Sequence, residues 1–414
     1  MSADQPAPLR EAIEAVRLRG LGTGLTTLAR AARGRIAQGE LGPLPVVVGL
    51  AMIWTLFYLQ DPHFLTARNL SNLILQIAVT GTIAIGVVLV LLLGEIDLSV
   101  GSVAGVTAAT LGVIVTVNHS PWWLGILAML AVGAAIGAFQ GFWFARIGVP
   151  SFVVTLAGLL AILGIQLHVL GSQGTLNVVD PHIVAISSSY LSPLQSWFFG
   201  LAVSILYAGT LLINRRRRAG AGLGTMPLFE LVIRILGLAL IAFVAVAALN
   251  AYQGVPIAGV ILISLVVVFA WTTTRTRFGR HIYAVGGNPE AARRAGISVP
   301  KIRIAVFTLS SLLAATGGLL AVSRNEAAGT LTGGGTLLLE AIAAAVIGGT
   351  SLFGGRGSVW AALLGALVIG SVSNGLDLTG APADIKYIVQ GAILLLAVTI
   401  DAISRRGRAA AGRA

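Results

Sequence analysis

The chain has 414 residues, of which 56% are hydrophobic and 10% are charged, and 52 are glycine. A water-soluble domain of this length needs more charge than this to cover its surface, so the composition excludes an ordinary soluble enzyme or binding domain. The formal net charge of +12 could indicate nucleic-acid binding, but the basic residues lie between apolar stretches, where they indicate membrane topology. The chain has no cysteine, which excludes a disulfide framework and a thiol metal site.

Apolar stretches recur along the chain, and most are long enough to cross roughly 30 Å of hydrocarbon at about 1.5 Å per residue. Runs such as VVLVLLLG do not alternate as the strands of a membrane β-barrel do. The sequence therefore predicts an all-α fold, a polytopic transmembrane bundle of about 10–12 spans. The expected spans are 44–60, 72–94, 99–117, 122–144, 150–171, 195–213, 228–249, 255–272, 303–323, 336–351, 358–376 and 385–403.

The placement of basic residues predicts the orientation of the chain. If the N-terminus is cytoplasmic, all 27 Lys and Arg residues except Arg68, Arg324 and Lys386 fall on the inner side, which is the side that retains positive charge. An even number of spans puts both termini there. The expected parts are a cytoplasmic arm 1–43, a transmembrane domain 44–403 with a cytoplasmic loop 273–302, and a cytoplasmic tail 404–414.

Two segments of the chain resemble each other in layout. Residues 44–144 and 303–403 each hold four expected spans, and in each a glycine-rich break precedes a helix that begins Gly-Ser-Val, at Gly101 and at Gly357. A parallel internal repeat and a chance likeness of glycine-rich membrane helices are both open interpretations.

The first break, GEIDLSVGS, places two carboxylates between two apolar helices. Asp97 or Ser99 is well placed to cap the following helix, where free amides favour an oxygen. A capped helix at the membrane interface is one interpretation, and a helix break that lines a translocation path is the other. The candidate path residues here are Glu95, Asp97, Ser99 and Gly101.

The loop 273–302 contains a complete short helix signal. Asn288 is the expected N-cap, Pro289 the first helical residue, and Gly296 the left-handed stop. A connector needs no capped helix, so we expect a surface that receives force from a soluble motor. A helix that anchors the loop to lipid headgroups is the alternative. The candidate coupling residues are Gly287, Asn288, Pro289, Glu290, Ala291, Ala292, Arg293, Arg294 and Gly296.

The third segment runs from Leu339 to Gly357. Glu340 is the acid expected nearest the membrane, where such residues face protein or water, and its apolar run suits a tilted or re-entrant helix. An interfacial acid with no part in transport is the alternative. The candidate path residues here are Glu340, Gly348, Gly349, Gly354 and Gly355.

The sequence lacks the motifs that several kinds of chemistry require. The sequence has no GxxxxGK[ST] phosphate loop, no cluster of metal-ligand residues and no Ser/His/Asp arrangement, so we expect no ATP hydrolysis by this chain, no cofactor, no metal and no enzymatic activity. An ion-coupled secondary sugar carrier stays open as an alternative, although such carriers usually have several buried charges.

Three segments together resemble one transporter family. GEIDLSVGS, GRHIYAVGGNPEAARRAGI and AIAAAVIGGTSLFGGRGSVW, in this order, are similar to the monosaccharide ATP-binding-cassette importer permeases, the ribose, arabinose and xylose group, which are related to the branched-chain amino-acid permeases. The likeness extends over about 44–401. Added length around 214–251 looks most like the xylose branch, while Leu338 and Leu339 depart from the polar residue that relatives commonly carry beside the glutamate.

The resemblance implies a multi-pass inner-membrane permease for a monosaccharide, xylose or a similar pentose or hexose. It implies two permease copies as a homodimer in the lipid bilayer, ABC ATPase subunits and an extracytoplasmic sugar-binding protein, and no nucleic acid. The loop that matches Gly286–Gly296 is the part expected to meet the ATPase.

Overall fold

The computed structural model of the chain describes residues 44–410, so the expected arm 1–43 and residues 411–414 of the expected tail lie outside the described residues. The described part is all-α apart from one pair of three-residue strands, which confirms the predicted class. In the first half, the elements are α1 Leu44–Gln60, α2 Ala67–Leu92, α3 Val100–Gly112, α4 Trp122–Phe142, α5 Ser151–Leu170, β1 Thr175–Asn177, α6 Pro181–Ser188 and α7 Pro193–Gly220. They are followed by α8 Leu228–Asn250, α9 Ile257–Arg275, α10 Arg277–Gly287, α11 Pro289–Arg294, α12 Val299–Asn325, β2 Ala327–Gly329, α13 Leu337–Ile347, α14 Trp360–Leu378 and α15 Ala383–Ala410.

Nine helical segments within residues 44–410 are long and apolar enough to cross a membrane. They correspond to α2–α5, α7–α9, α12 and α14, with α3 and α4 each extended by one π-helical turn. The expected span 336–351 is not a single membrane-crossing helix: α13 has 11 residues and is only about 16 Å long, half of the hydrocarbon thickness, as expected of a re-entrant helix.

The centre of the bundle is built around α2 and α12. From Ile77 to Leu92 every residue of α2 is buried, as expected of a helix that is apolar on all sides. Small residues let its neighbours come close: Gly86 of α2 faces Ser310 of α12, and Gly318 of α12 faces Ala104 of α3.

The segment between α12 and α13 enters the bundle without helical structure. β2 pairs antiparallel with β1, and the chain then continues as loop 330–336 along the first turns of α3. A Cβ atom on Gly105 would lie 2.4 Å from the carbonyl oxygen of Thr332, so this approach requires glycine. Nε2 of Gln166 donates to the carbonyl oxygens of Gly329 and Thr332 at 3.0 and 3.1 Å, which satisfies part of the irregular backbone.

The described residues fall into two compact units. The larger unit comprises residues 43–193 and 248–406 and contains every site discussed below. Residues 194–247 belong to the other unit, a hairpin of α7 and α8 in which the Trp197 and Phe243 rings stack with centroids 5.7 Å apart. The expected boundaries at residues 43 and 403 stay a prediction, and so does the internal repeat.

Candidate functional site

A cavity of about 260 Å³ lies within the larger unit, beside the N-terminal end of α13. Its wall combines the middle of α2, the C-terminal end of α12, loop 330–336 and one face of α14. The lining residues are Gln76, Val79, Thr80, Ala321, Arg324, Asn325, Leu331, Thr332, Gly333, Gly334, Thr336, Leu337, Glu340, Gly370, Ser373 and Asp377. Most of these side chains are polar, which is unusual for the interior of an apolar bundle.

Glu340 is the hydrogen-bonding centre of this wall. Its Oε1 accepts from Gln390 Nε2 at 2.8 Å and from Thr336 Oγ1 at 2.9 Å. Weaker bonds reach Oε1 from Ser373 Oγ at 3.3 Å and Oε2 from Thr80 Oγ1 at 3.4 Å. The expectation that Glu340 faces polar groups is therefore confirmed, whereas its part in a path stays a prediction. Three of these partners, Thr80, Ser373 and Gln390, could not be identified from the sequence, because they lie on helices far away along the chain.

Two further charges of opposite sign line the cavity. Arg324 ends α12 and Asp377 lies near the end of α14. Asp377 Oδ1 also accepts from Lys386 Nζ of α15 at 2.6 Å. Gln76 contributes an amide whose Oε1 accepts no hydrogen bond within the described part of the chain. The lining therefore carries two carboxylates, one guanidinium and the amides of Gln76 and Asn325.

The first break, residues 93–99, is buried at its centre. Asp97 is 3% exposed, and its Oδ1 accepts from the amide of Ser99 at 2.9 Å and from Ser99 Oγ at 2.7 Å. Ser99 occupies the N-cap position of α3, but its hydroxyl makes no capping bond to the helix. The expectation that the Ser99 hydroxyl caps α3 is therefore wrong. Asp97 instead accepts a hydrogen bond from the backbone amide of Ser99, the residue at the N-cap position.

Glu95 lies in the same break and makes an ion pair with a distant part of the chain. Its carboxylate accepts from Ser151 Oγ at 2.7 Å and from Arg303 Nη2 at 3.2 Å. Burial raises the pKa of the Glu95 carboxyl, and the bonds from Ser151 and Arg303 oppose that rise. Because Arg303 lies in α12 soon after α11, the pair ties the break to the helix that follows the predicted coupling helix.

The glycine-rich segments of the sequence meet at the end of α10. We call this contact the α10 junction; it consists of Leu92, Gly94, Gly286, Gly354 and Gly355. The amide of Gly355 donates to the carbonyl oxygen of Leu92 at 3.0 Å, and a Cβ on Gly286 would lie 1.8 Å from that oxygen. A Cβ on Gly354 would lie 2.8 Å from Gly94. Backbones of three segments therefore touch where side chains cannot fit.

Helix α10 itself was missed from the sequence. It buries Gly279, Ile282 and Val285 on one face, and the hydroxyl of Tyr283 donates to the carbonyl oxygen of Gly357 at 2.9 Å. The three-to-four-residue spacing of its apolar side chains is a helical pattern that could have indicated it. The loop 273–302 therefore contains two helices: α10 packs against the glycine-rich breaks, and α11 follows α10 along the chain.

Helix α11 forms as the sequence predicts. Asn288 Oδ1 accepts from the amides of Glu290 and Ala291 at 3.0 and 2.9 Å, Pro289 is the first helical residue, and Gly296 has φ +81°. The residues from Gly287 to Ala291, with Arg293 and Arg294, are exposed. Ala292 is 4% exposed and packs in the core, so its inclusion among surface coupling residues is wrong: a residue buried inside its own chain cannot contact a partner.

The structure separates the remaining candidates into two groups. Gly354 and Gly355 join the break that contains Glu95 and Asp97, whereas Glu340 lies at the cavity with Gly101 close to loop 330–336. Gly348 ends α13 against α14, where a Cβ would lie 1.9 Å from the carbonyl oxygen of Ala361. Gly349 has φ +102° and turns the chain away from α13.

Sequence comparison identifies the family. Residues 69–398 match the model of the branched-chain amino acid transport system / permease component family. The chain belongs to this permease family. The match extends from α2 into α15 and includes the cavity, both breaks and the junction.

Relatives of this permease are curated as sugar transport components. The xylose transport system permease protein of Escherichia coli K12 is 41% identical over 364 residues, 87% of this chain and 90% of that protein. The xylose transport system permease protein of Haemophilus influenzae is 37% identical over 367 residues, which are 87% of this chain and 96% of that protein. The ribose import permease protein of Escherichia coli K12 is 34% identical over 359 residues, which are 86% of this chain and 92% of that protein. No solved structure matches the chain.

The comparisons and the fold agree on the general class of this permease. It is a multi-pass membrane protein of a transport system, and its relatives are transport permeases, not enzymes. The cavity, the buried break and the α10 junction are therefore parts of a transporter.

Proposed function

We propose that this permease is the membrane-spanning subunit of an ATP-driven importer that moves a monosaccharide, xylose or a similar pentose or hexose, across the inner membrane. The names of the xylose and ribose relatives support the sugar. The observation that carries the ATP-driven mechanism is the α10 junction, where the exposed helix α11 is joined through α10 to both glycine-rich breaks of the bundle.

The proposed coupling follows the chain. An ABC ATPase binds the exposed face of α11, and its movement on ATP binding reaches the breaks in two ways. One is α10, whose end contacts the backbones of Gly94 and Gly355. The other is α12, which starts at Val299, just after α11, and holds Glu95 through Arg303. Interfaces that are closely packed shift as units, which suits transmission of force.

The remaining partners of the proposal come from the permease relatives. Two copies of the chain enclose the path as a homodimer, a soluble binding protein delivers the sugar on the outer side, and Glu95, Asp97, Ser99, Gly101, Glu340 and the glycines of both breaks line or hinge that path. Both termini and the turn after α7 are cytoplasmic. Because the natural chain has no cysteine, Ala219→Cys should react with an impermeant thiol reagent only after permeabilisation, while Ser172→Cys should react in intact cells.

The test is reconstitution of the permease in lipid vesicles with an ABC ATPase and a sugar-binding protein, which we expect to be encoded in neighbouring reading frames. We expect ATP-dependent accumulation of xylose and stimulation of ATP hydrolysis by xylose-loaded binding protein. A vesicle set that contains the permease alone, with a proton or sodium gradient, is the control. Uptake by that control set would contradict the proposal and support an ion-coupled carrier.

A further inference from the structure

We infer that the Glu340 cavity is a binding site within one permease subunit for a single neutral polyhydroxy compound, and that it discriminates against anionic relatives of that compound. The inference rests on the proposed function only for the identity of the transported sugar. The size, polarity and charge of the wall carry the rest.

The volume sets the size of the ligand. A cavity of about 260 Å³ that is open on one side has room for one monosaccharide. The open side of the cavity lies next to Leu331 and Asn325, which are exposed and form its rim.

The wall is rich in groups that suit hydroxyls. Each sugar hydroxyl donates one hydrogen bond and accepts others, so its site must present acceptors and donors side by side. Glu340 and Asp377 supply acceptors, Arg324 supplies donors, and the amide of Gln76 supplies both, whereas Asn325 lies at the rim. The Oε1 of Gln76 is buried and accepts no hydrogen bond from the protein residues described, so this lining residue has an unused acceptor.

The charges of the wall decide between neutral and anionic ligands. All four hydrogen-bond partners of Glu340 are neutral side chains, from Thr80, Thr336, Ser373 and Gln390. Its negative charge is therefore solvated but not cancelled by a hydrogen-bonded cation. The lining carries two carboxylates, from Glu340 and Asp377, and one guanidinium, from Arg324, so a sugar acid or sugar phosphate would add a negative charge to a wall whose charge is already negative, which is unfavourable. A neutral sugar donates hydrogen bonds from its hydroxyl groups to the carboxylate and meets no such repulsion.

The absence of cysteine from the chain allows a direct test on the full-length permease in lipid vesicles. Asn325→Cys places a thiol at the rim, and Ser172→Cys places one at an exposed site outside the cavity lining. We expect xylose to slow the reaction of Asn325→Cys with a methanethiosulfonate reagent at least threefold and to leave Ser172→Cys unchanged. Xylonate, xylose phosphate and leucine, each at the same concentration, should not protect.

Glu340→Gln in the Asn325→Cys background tests the role of the charge. We expect the xylose concentration for half protection to rise about tenfold, since a charge-assisted bond is lost, and xylonate to become a protecting ligand. Glu326→Gln is the matched control, because this exposed glutamate adjoins Asn325 without lining the cavity, and it should change neither value.

The outcomes separate this inference from the proposed function. Protection by xylose that is unaltered in Glu340→Gln, or equal protection by xylonate in the unaltered cavity, overturns the inference. If the reconstituted importer transports xylose and no neutral sugar protects Asn325→Cys, the inference is wrong and the proposed function stands. If a neutral sugar protects and no ATP-dependent uptake occurs, the proposed function is wrong and the site remains.

Discussion

The Glu340 cavity and the α10 junction are built in opposite ways. The cavity wall consists mostly of polar side chains around an open volume. The junction consists of backbone against backbone, with glycine at the points of contact and no space for a Cβ. Side-chain replacement can therefore change what the cavity recognises while the fold persists, whereas the junction tolerates almost no replacement.

Helix α13 connects the two regions. It begins at the cavity with Leu337 and Glu340, and it ends at Gly348, from which the chain leads through Gly354 and Gly355 to the junction. The Glu340 cavity and the α10 junction, which we propose for ligand recognition and for force reception, are therefore linked by α13 and the glycine-rich segment that follows it.

The largest effect is expected at the junction itself. Gly286→Ala puts a Cβ 1.8 Å from the carbonyl oxygen of Leu92, whereas Gly287→Ala meets no atom within 4 Å. We expect Gly286→Ala to cost about 3 kcal/mol or more of unfolding free energy, since α10 and α2 must separate, and Gly287→Ala to cost less than about 1 kcal/mol. Thermal unfolding in detergent, followed by size-exclusion fluorescence, measures both. Equal melting temperatures for the two variants would show that the junction is not rigid.

A smaller effect is expected on the outer face of α11. Ala291 is exposed and its neighbour Ala292 is buried, so the same change to tryptophan has different consequences. Ala291→Trp should leave the fold intact and weaken ATPase association at least about tenfold, or ~1.4 kcal/mol, because it fills the docking surface. Ala292→Trp should lower the yield of folded permease instead.

Co-purification with the ATPase, together with the melting temperature of the permease alone, distinguishes the two variants. Cavity variants such as Glu340→Gln should leave ATPase association unchanged, so this measurement distinguishes the cavity from the surface that we propose to bind the ATPase. If Ala291→Trp retained normal association and uptake, α11 would be only a connector.

The smallest effect concerns the Glu95–Arg303 pair. Burial raises the pKa of Glu95 above its ordinary value of 4.5, so the ionised carboxylate is disfavoured in the fold relative to the unfolded chain. This cost is absent below the unfolded pKa and develops as the pH rises through the folded pKa. Relative to Glu95→Gln, the unaltered permease should therefore lose stability as the pH rises above about 4.5 and then level off. The measurement is the difference in melting temperature between the two proteins from about pH 4 to about pH 8. If the unaltered permease instead gained stability relative to Glu95→Gln as the pH rose, the ion pair with Arg303 would outweigh the cost of burying Glu95.

Much of this fold was predictable because its causes are local. The apolar length of each span and the Asn288–Pro289 start of α11 depend on neighbouring residues, and both follow from the sequence. Helix α10 was missed because it is short and lies between a long span and a clear cap, although its apolar spacing was visible.

The cavity and the junction were predictable only as isolated residues. Glu340 was identified as an intramembrane acid, but its partners Thr80, Ser373 and Gln390 come from three other helices. The glycines of the breaks were identified as candidate path residues, but their mutual contact depends on the packing of α2, α10 and the segment after α13. Ala292 was misjudged for the same reason, since burial is a tertiary property.

The pairing of β1 with β2 has a consequence for biosynthesis. Leu176 meets Ala328, so the ribosome must make every element from α6 to α12 before the first of these strands finds its partner. At roughly 5–20 residues per second, β1 waits roughly ten to thirty seconds. The segment from Glu326 to Thr336 cannot enter lipid as an independent helix, because its irregular amides would be unsatisfied there. It must be placed after the translocon has released the earlier helices, which makes the Glu340 cavity one of the last parts of the nascent chain to mature.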